Sequence, residues 1–152
     1  MTLPTPTMSY LNDVYLARGA VEWTPQLCER LGIGKPMVVT DRGVRRLGFV
    51  DRLGLDAPVV FDDVRTNPVA ASAEAAVALF REHRCDGIVA LGGGSPIDLA
   101  KIVALLADHH EPLDRYAILN VGVGRITDRC QPIVAVPTTA GSGSEVGRAA
   151  LL

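Results

Sequence analysis

The sequence predicts an α/β fold, a parallel sheet with flanking helices, on three observations. Short apolar segments alternate along the chain with longer stretches of helical periodicity, the pattern of successive βα units. The segment Ile88–Leu91 is apolar at every position, as a strand covered on both faces must be. Polar residues and glycines come directly after the expected strands, at Asp41, Asp62, Gly92 to Ser95 and Thr138-Thr139. In an open parallel sheet that edge is where ligands bind.

Val14-Tyr15-Leu16 reads as an edge strand, and Thr24-Pro25 as the cap and first-turn proline of a helix ending near Gly32. Met37–Thr40 is the next strand. Asp41 caps a second helix expected to run to about Gly54, and Pro58–Phe61 forms another strand. Asn67-Pro68 breaks the chain. Ser72 is the expected cap of a helix whose Ala73, Ala76, Val77 and Phe80 fall at i, i+3, i+4 and i+7, one apolar stripe for the sheet. After Ile88–Leu91, a helix over Pro96–Ala107 is apolar nearly all round and needs cover on more than one side. Residues 108–131 read as an irregular excursion, and Ile133–Val136 is the last strand. Ala149–Leu152 is an apolar run with no turn signal after it, as if an element were still in progress.

Composition bounds the function. The 152 residues, 48% of them hydrophobic, suffice for one core. A mean hydropathy of +0.23 suits a surface that meets a partner or second domain. Fifteen basic against seventeen acidic residues give a net charge of -2, and the basic residues are scattered. No stripe neutralises a run of phosphates, which argues against a nucleic-acid partner. The first ten residues carry neither a basic residue nor an apolar stretch, and the longest apolar run, Ile102–Ala107, is too short to span a bilayer. Cys28, Cys85 and Cys130 are odd in number and far apart, which fits reduced thiols serving as packing residues and a cytoplasmic setting without membrane contact.

The chemistry concentrates at Leu91-Gly92-Gly93-Gly94-Ser95-Pro96-Ile97-Asp98. Strand, glycine turn and helix start in succession aim backbone amides and a helix N-terminus at one anion. Ser95 is the expected N-cap, Pro96 the first helical residue and Asp98 the third, a capping-box pattern. The alternative is a tight turn whose glycines serve packing alone, at about 1 kcal/mol of lost order each. The loop lacks the Gly-Lys-Ser/Thr ending of kinase-type phosphate loops. Thr138 and Thr139 supply hydroxyl donors just past a strand, and Gly141 and Gly143 let backbone approach a ligand.

Two long segments, Gly92-Gly93-Gly94-Ser95-Pro96-Ile97-Asp98-Leu99-Ala100-Lys101 and Val136-Pro137-Thr138-Thr139-Ala140-Gly141-Ser142-Gly143-Ser144-Glu145-Val146, resemble the iron-containing (group III) alcohol dehydrogenases. Thr40-Asp41-Arg42-Gly43 and Asn67-Pro68 fall where that family has similar segments, so the likeness covers nearly the whole chain. It implies the Rossmann-like N-terminal domain of a dehydroquinate synthase-like fold, with residues 1–152 as a dinucleotide-binding domain. The helical C-terminal domain, which carries Fe2+ or another divalent metal on one Asp and three His, is not in this sequence. Carried over by position, the resemblance gives the pyrophosphate to Gly93, Gly94 and Ser95, beside Gly92. It places Thr138, Thr139 and Ser142 along the cofactor, Asp98 near the nicotinamide, and Asn67 among the cofactor-binding residues. It further implies NAD or NADP as cofactor, a small alcohol or aldehyde substrate, and homodimers joined through the N-terminal strand near Val14–Leu16.

Asp41, at a strand end, is placed to accept hydrogen bonds from the adenosine ribose and to repel a 2′-phosphate, favouring NAD, although neighbouring Arg42 would tolerate NADP. As a bare helix cap it would do neither. Lys101 is read as the i+3 partner of Asp98, or as a cation near the phosphates. His83, His109 and His110 are the only histidines, lack paired ligand spacing, and are assigned to the surface. The expectation is therefore no catalytic and no metal-ligating residue in this chain. The leading reading is the cofactor half of a metal-dependent alcohol dehydrogenase. The alternatives are a non-catalytic dinucleotide-binding module, or a related glycerol dehydrogenase or dehydroquinate synthase-type enzyme.

Overall fold

The computed structural model describes residues 8–9, 12–64, 70–117, 120 and 122–151. Six strands are present among them: β1 (Met8–Ser9), β2 (Asp13–Val14), β3 (Pro36–Val39), β4 (Val59–Phe61), β5 (Gly87–Gly92) and β6 (Ile133–Pro137). The α-helices are α1 (Thr24–Arg30), α2 (Arg42–Arg46), α3 (Ala70–Glu82) and α4 (Gly94–Asp108). The expected break at Asn67-Pro68 lies outside the described residues.

The main sheet has the order β4-β3-β5-β6 and is parallel throughout. Its register sets Met37 beside both Val59 and Ile88, and Ile88 beside Ile133. From β3 the chain steps outward to edge strand β4, then returns past β3 to β5. Strand order thus reverses between β3 and β5, opening a crevice at their carboxyl ends.

Alternation along the central strands builds two cores. Met37, Val39, Ile88 and Ala90 point into the core shared with α3 and α4, whereas Val38, Val89, Leu91 and Val134 pack with Cys28, Ile33 and Leu53 on the opposite face. The expected stripe of α3 is buried at all four positions, Ala73, Ala76, Val77 and Phe80. α4 packs against α3 as well as β3, β5 and β6, the multi-sided cover that its apolar circumference requires.

Several boundaries differ from expectation. A 3-10 turn, Ala20–Trp23, leads directly into α1, so Thr24 is the first helical residue and not the cap; its buried hydroxyl donates back to the Val21 carbonyl at 2.7 Å. The second helix does not reach Gly54. α2 ends at Arg46 because Gly48, at φ 72°, turns the chain before a short 3-10 turn over Asp51–Leu53. Ser72 lies inside α3, one turn before Ala76 on the buried face, rather than at its start. The N-terminal strand is not Val14–Leu16: β2 pairs antiparallel with β1 in a separate ribbon. Tyr15 is held instead by side-chain contacts, its ring edge-on to Trp23 and its hydroxyl on Arg30.

Residues 108–131 are irregular as expected, with 3-10 turns over Leu113–Tyr116 and Gly122–Arg125. His109 corrects the surface assignment of the three histidines: it is buried, while His83 and His110 are exposed. At the end of α4 its Nδ1–H donates to the Leu105 carbonyl at 2.8 Å and its Nε2 accepts the Thr127 amide at 3.0 Å. The ring also packs edge-on against Tyr116. Cys28 and Cys85 are buried as expected, but Cys130 is exposed, because it sits in the excursion outside both cores.

Candidate functional site

Four strand ends converge on one cleft of about 650 Å3, a volume typical of small-molecule sites. Asp41 and Asp62, just past β3 and β4, form one side. Gly93 and Ser95, past β5, and Thr138 and Thr139, past β6, form the other.

The glycine loop is built around Gly92. Its φ of 149° lies where only glycine is at ease, and a Cβ there would stand 2.6 Å from Pro96 Cγ. That turn starts α4 two residues earlier than the sequence suggests. Gly93 is the N-cap, and no side chain caps the helix. Ser95 is therefore the second helical residue and not the cap, and Pro96 is third, still in the first turn, where a missing N–H costs nothing. The amides of Gly94 and Ser95 lack a carbonyl four residues back within the helix and sit at its positive end, an anion-binding arrangement.

The second loop closes on the first. Thr138 N–H donates to the Gly92 carbonyl at 2.9 Å. A Cβ on Gly93 would lie 3.3 Å from Thr139 Oγ1, and one on Gly94 would lie 3.2 Å from Ser144 Oγ and 3.3 Å from Ser142 Cβ. Packing and phosphate binding are thus not rival explanations of these glycines. Their small size brings the hydroxyl-bearing loop against the helix N-terminus, which puts amide and hydroxyl donors side by side.

Asp41 performs the capping role, with Oδ1 accepting the Val44 amide at 2.9 Å. It also lines the cleft. Gly92, Gly94, Asp98 and Ser142 do not. Gly92 is buried at the strand end, and Gly94 and Ser142 pack against each other beside the cleft. Asp98, the fifth residue of α4 rather than its third, completes no capping box. Its carboxylate instead accepts from Lys101 Nζ and from the Leu151 amide, both at 3.1 Å. The i, i+3 pair is therefore present, and Lys101 also donates to the Ala149 carbonyl at 2.7 Å. Asn67 lies outside the described residues. Three features in or beside the cleft are missed by the sequence reading: Asp63, the engagement of Arg42 and Arg45 by carboxylates from the β4 end, and the approach of Ser144 to Gly94. The doubled Asp62-Asp63 past a strand is the signal that could have found the first two.

These residues fit a dinucleotide. Amides and hydroxyls at one side suit an anionic pyrophosphate, and a carboxylate at the other suits ribose hydroxyls. They do not fit a resident metal: among the described residues no group of three or more His, Cys, Asp or Glu side chains is arranged to hold one. No helix among the described residues is long and apolar enough to cross a membrane.

The sequence profile of the iron-containing alcohol dehydrogenases matches residues 12–152. The chain belongs to that family. It is 47% identical over 148 residues to the 4-hydroxybutyrate dehydrogenase of Cupriavidus necator, covering 94% of this chain and 38% of that protein. Among solved structures, a 1,3-propanediol oxidoreductase superposes with a TM-score of 0.74 at 38% identity, over 83% of this chain and 34% of that one. The sulfoacetaldehyde reductase of Bifidobacterium kashiwanohense, solved in complex with NAD+, gives 0.71 at 30% identity, over 84% and 34% of the two chains. The chain therefore has the parallel sheet and flanking helices of these iron-containing alcohol dehydrogenase relatives, and it spans little more than a third of their length.

Proposed function

We propose that this chain is the NAD(P)-binding part of a metal-dependent alcohol dehydrogenase acting on a small alcohol or aldehyde. The observation that carries the reading is the convergence of four strand ends and the uncapped N-terminus of α4 on one cleft. Gly93, Gly94 and Ser95 hold the pyrophosphate through backbone amides, backed by Gly92. Thr138 and Thr139 contact the cofactor, with Ser142, Asp98 and Asn67 assigned to the same site by family position. Asp41 accepts from the adenosine ribose and favours NAD, with NADP the weaker ligand. The bound nicotinamide supplies the hydride carrier.

The Lewis acid, Fe2+ or another divalent metal, comes from residues outside those described. The substrate class rests on relatives whose names refer to 4-hydroxybutyrate and 1,3-propanediol. A homodimer joined near Val14–Leu16 rests on the family resemblance. Three unpaired cysteines support a cytoplasmic setting.

Calorimetry with NADH on the 152-residue chain tests the reading, with Gly93→Ala as the variant. Gly93 has φ -81°, which alanine adopts freely, so the fold survives while the methyl intrudes between the helix start and Thr139. Binding by the parent chain and its loss in the variant are expected, without NADH formation when NAD and 1,3-propanediol are supplied. Undiminished affinity in Gly93→Ala would remove the loop from the site.

A further inference from the structure

Opposite the glycine loop Arg42 lines the cleft, and Arg45, three residues on in α2, reaches the same wall through the cleft residue Asp62; an arginine near the ribose is the usual means of accepting a 2′-phosphate. Neither guanidinium is at liberty. Arg42 Nη2 meets Asp63 Oδ1 at 2.9 Å, and Arg45 Nη1 meets Asp62 Oδ2 at 2.7 Å. A backbone bridge between Asp41 and Asp63 fixes the edge on which these groups stand.

We infer that Asp62 and Asp63 are specificity-determining residues of the cleft: by engaging Arg45 and Arg42 they withhold both guanidinium groups from the 2′-phosphate of NADP and make this a site for NAD. The inference rests on the dinucleotide reading above and extends it to two residues whose role lies in the charges they cancel.

Exposed ion pairs are individually weak, and all four side chains keep substantial solvent contact. What decides is the charge count. Within the two ion pairs and Asp41, three carboxylates stand against two guanidinium groups, a balance of one negative. A phosphate dianion entering there must displace a carboxylate from each arginine and then remain beside the carboxylates it displaced. Neutralising Asp62 and Asp63 turns the same wall positive by one and leaves both guanidinium groups unclaimed. The ribose diol of NAD needs no cation, so its binding does not change.

Dissociation constants for NADH and NADPH, measured by fluorescence titration, test this on three proteins: the parent chain, D62N/D63N, and D62N/D63N/R42A/R45A. Asparagine matches aspartate in shape at both positions, and circular dichroism reports that each variant is folded. NADPH is expected to bind D62N/D63N about tenfold more tightly than the parent. NADH affinity stays as it was, and the NADPH gain falls with added salt and disappears in the quadruple variant. NADPH affinity unmoved in D62N/D63N, with NADH still bound, overturns the inference and leaves the site reading intact. A gain that survives loss of the arginines assigns the effect to repulsion alone and overturns it too. Loss of NADH from a folded D62N/D63N would place the carboxylates in ribose binding itself and overturn the inference likewise. A parent chain that binds neither dinucleotide brings down the site reading and this inference together.

Discussion

The carboxylate of Asp41 closes α2 through a single oxygen, Oδ1, which takes the Val44 amide at 2.9 Å. Capping and ligand recognition can therefore be separated. Asp41→Ala loses the cap and about 1 kcal/mol of stability. Asp41→Asn keeps a cap of equal quality and removes only the charge. Urea unfolding should show the alanine variant weakened and the asparagine variant near the parent, while the preference for NADH over NADPH narrows in both. An unchanged preference in Asp41→Asn would confine the residue to capping.

The Asp98–Lys101 pair is nearly out of solvent, at 9% and 15% side-chain exposure, and it also grips the chain at Ala149 and Leu151. Removing one member of such a pair strands the other charge, a loss of about 3 kcal/mol. Lys101→Met should thus unfold at clearly lower urea than the parent, and Asp98→Asn added to it should recover much of the difference. If the double variant is no better than the single, the pair contributes by packing and not by charge.

Burial, with a smaller contribution from the Asp86 carboxylate, pushes the Cys28 thiol up from an ordinary 9.0 to about 11. In the unfolded chain the thiol ionises from about pH 9, while the folded protein keeps the proton until about 11. The stability Cys28 contributes is full below pH 9 and is lost as the pH climbs through that window. Unfolding free energies measured from pH 8 to 11 should decline, and Cys28→Ala should flatten the decline. Iodoacetamide at pH 8 should label Cys130 alone until the chain is unfolded, since Cys28 and Cys85 are buried.

The sheet is legible in the sequence because β5 and the stripe of α3 announce themselves by composition and period, and because the Asp41 cap is a purely local contact. Positions set by distant contacts are not. The start of α4 depends on the turn at Gly92, whose φ no composition reveals, so Ser95 has the look of a cap without being one. His109 reads as a surface residue because the Thr127 amide that meets it is 18 residues away. The cleft itself is visible in the polar and glycine residues at each strand end, but the neutralising of Arg42 and Arg45 requires the pairing of α2 with the β4 end.

The bond from the Thr138 amide to the Gly92 carbonyl bears on the cost of binding. Because it continues the β5–β6 ladder past the last paired residues, Gly92 and Pro137, the roots of the two donor-bearing loops are tied to each other. Thr138 cannot part from Gly92 without breaking that bond. For the proposed dinucleotide, this junction is set before binding, with its ordering entropy spent when the chain folded. Less of the binding free energy is then consumed in ordering these two loop roots.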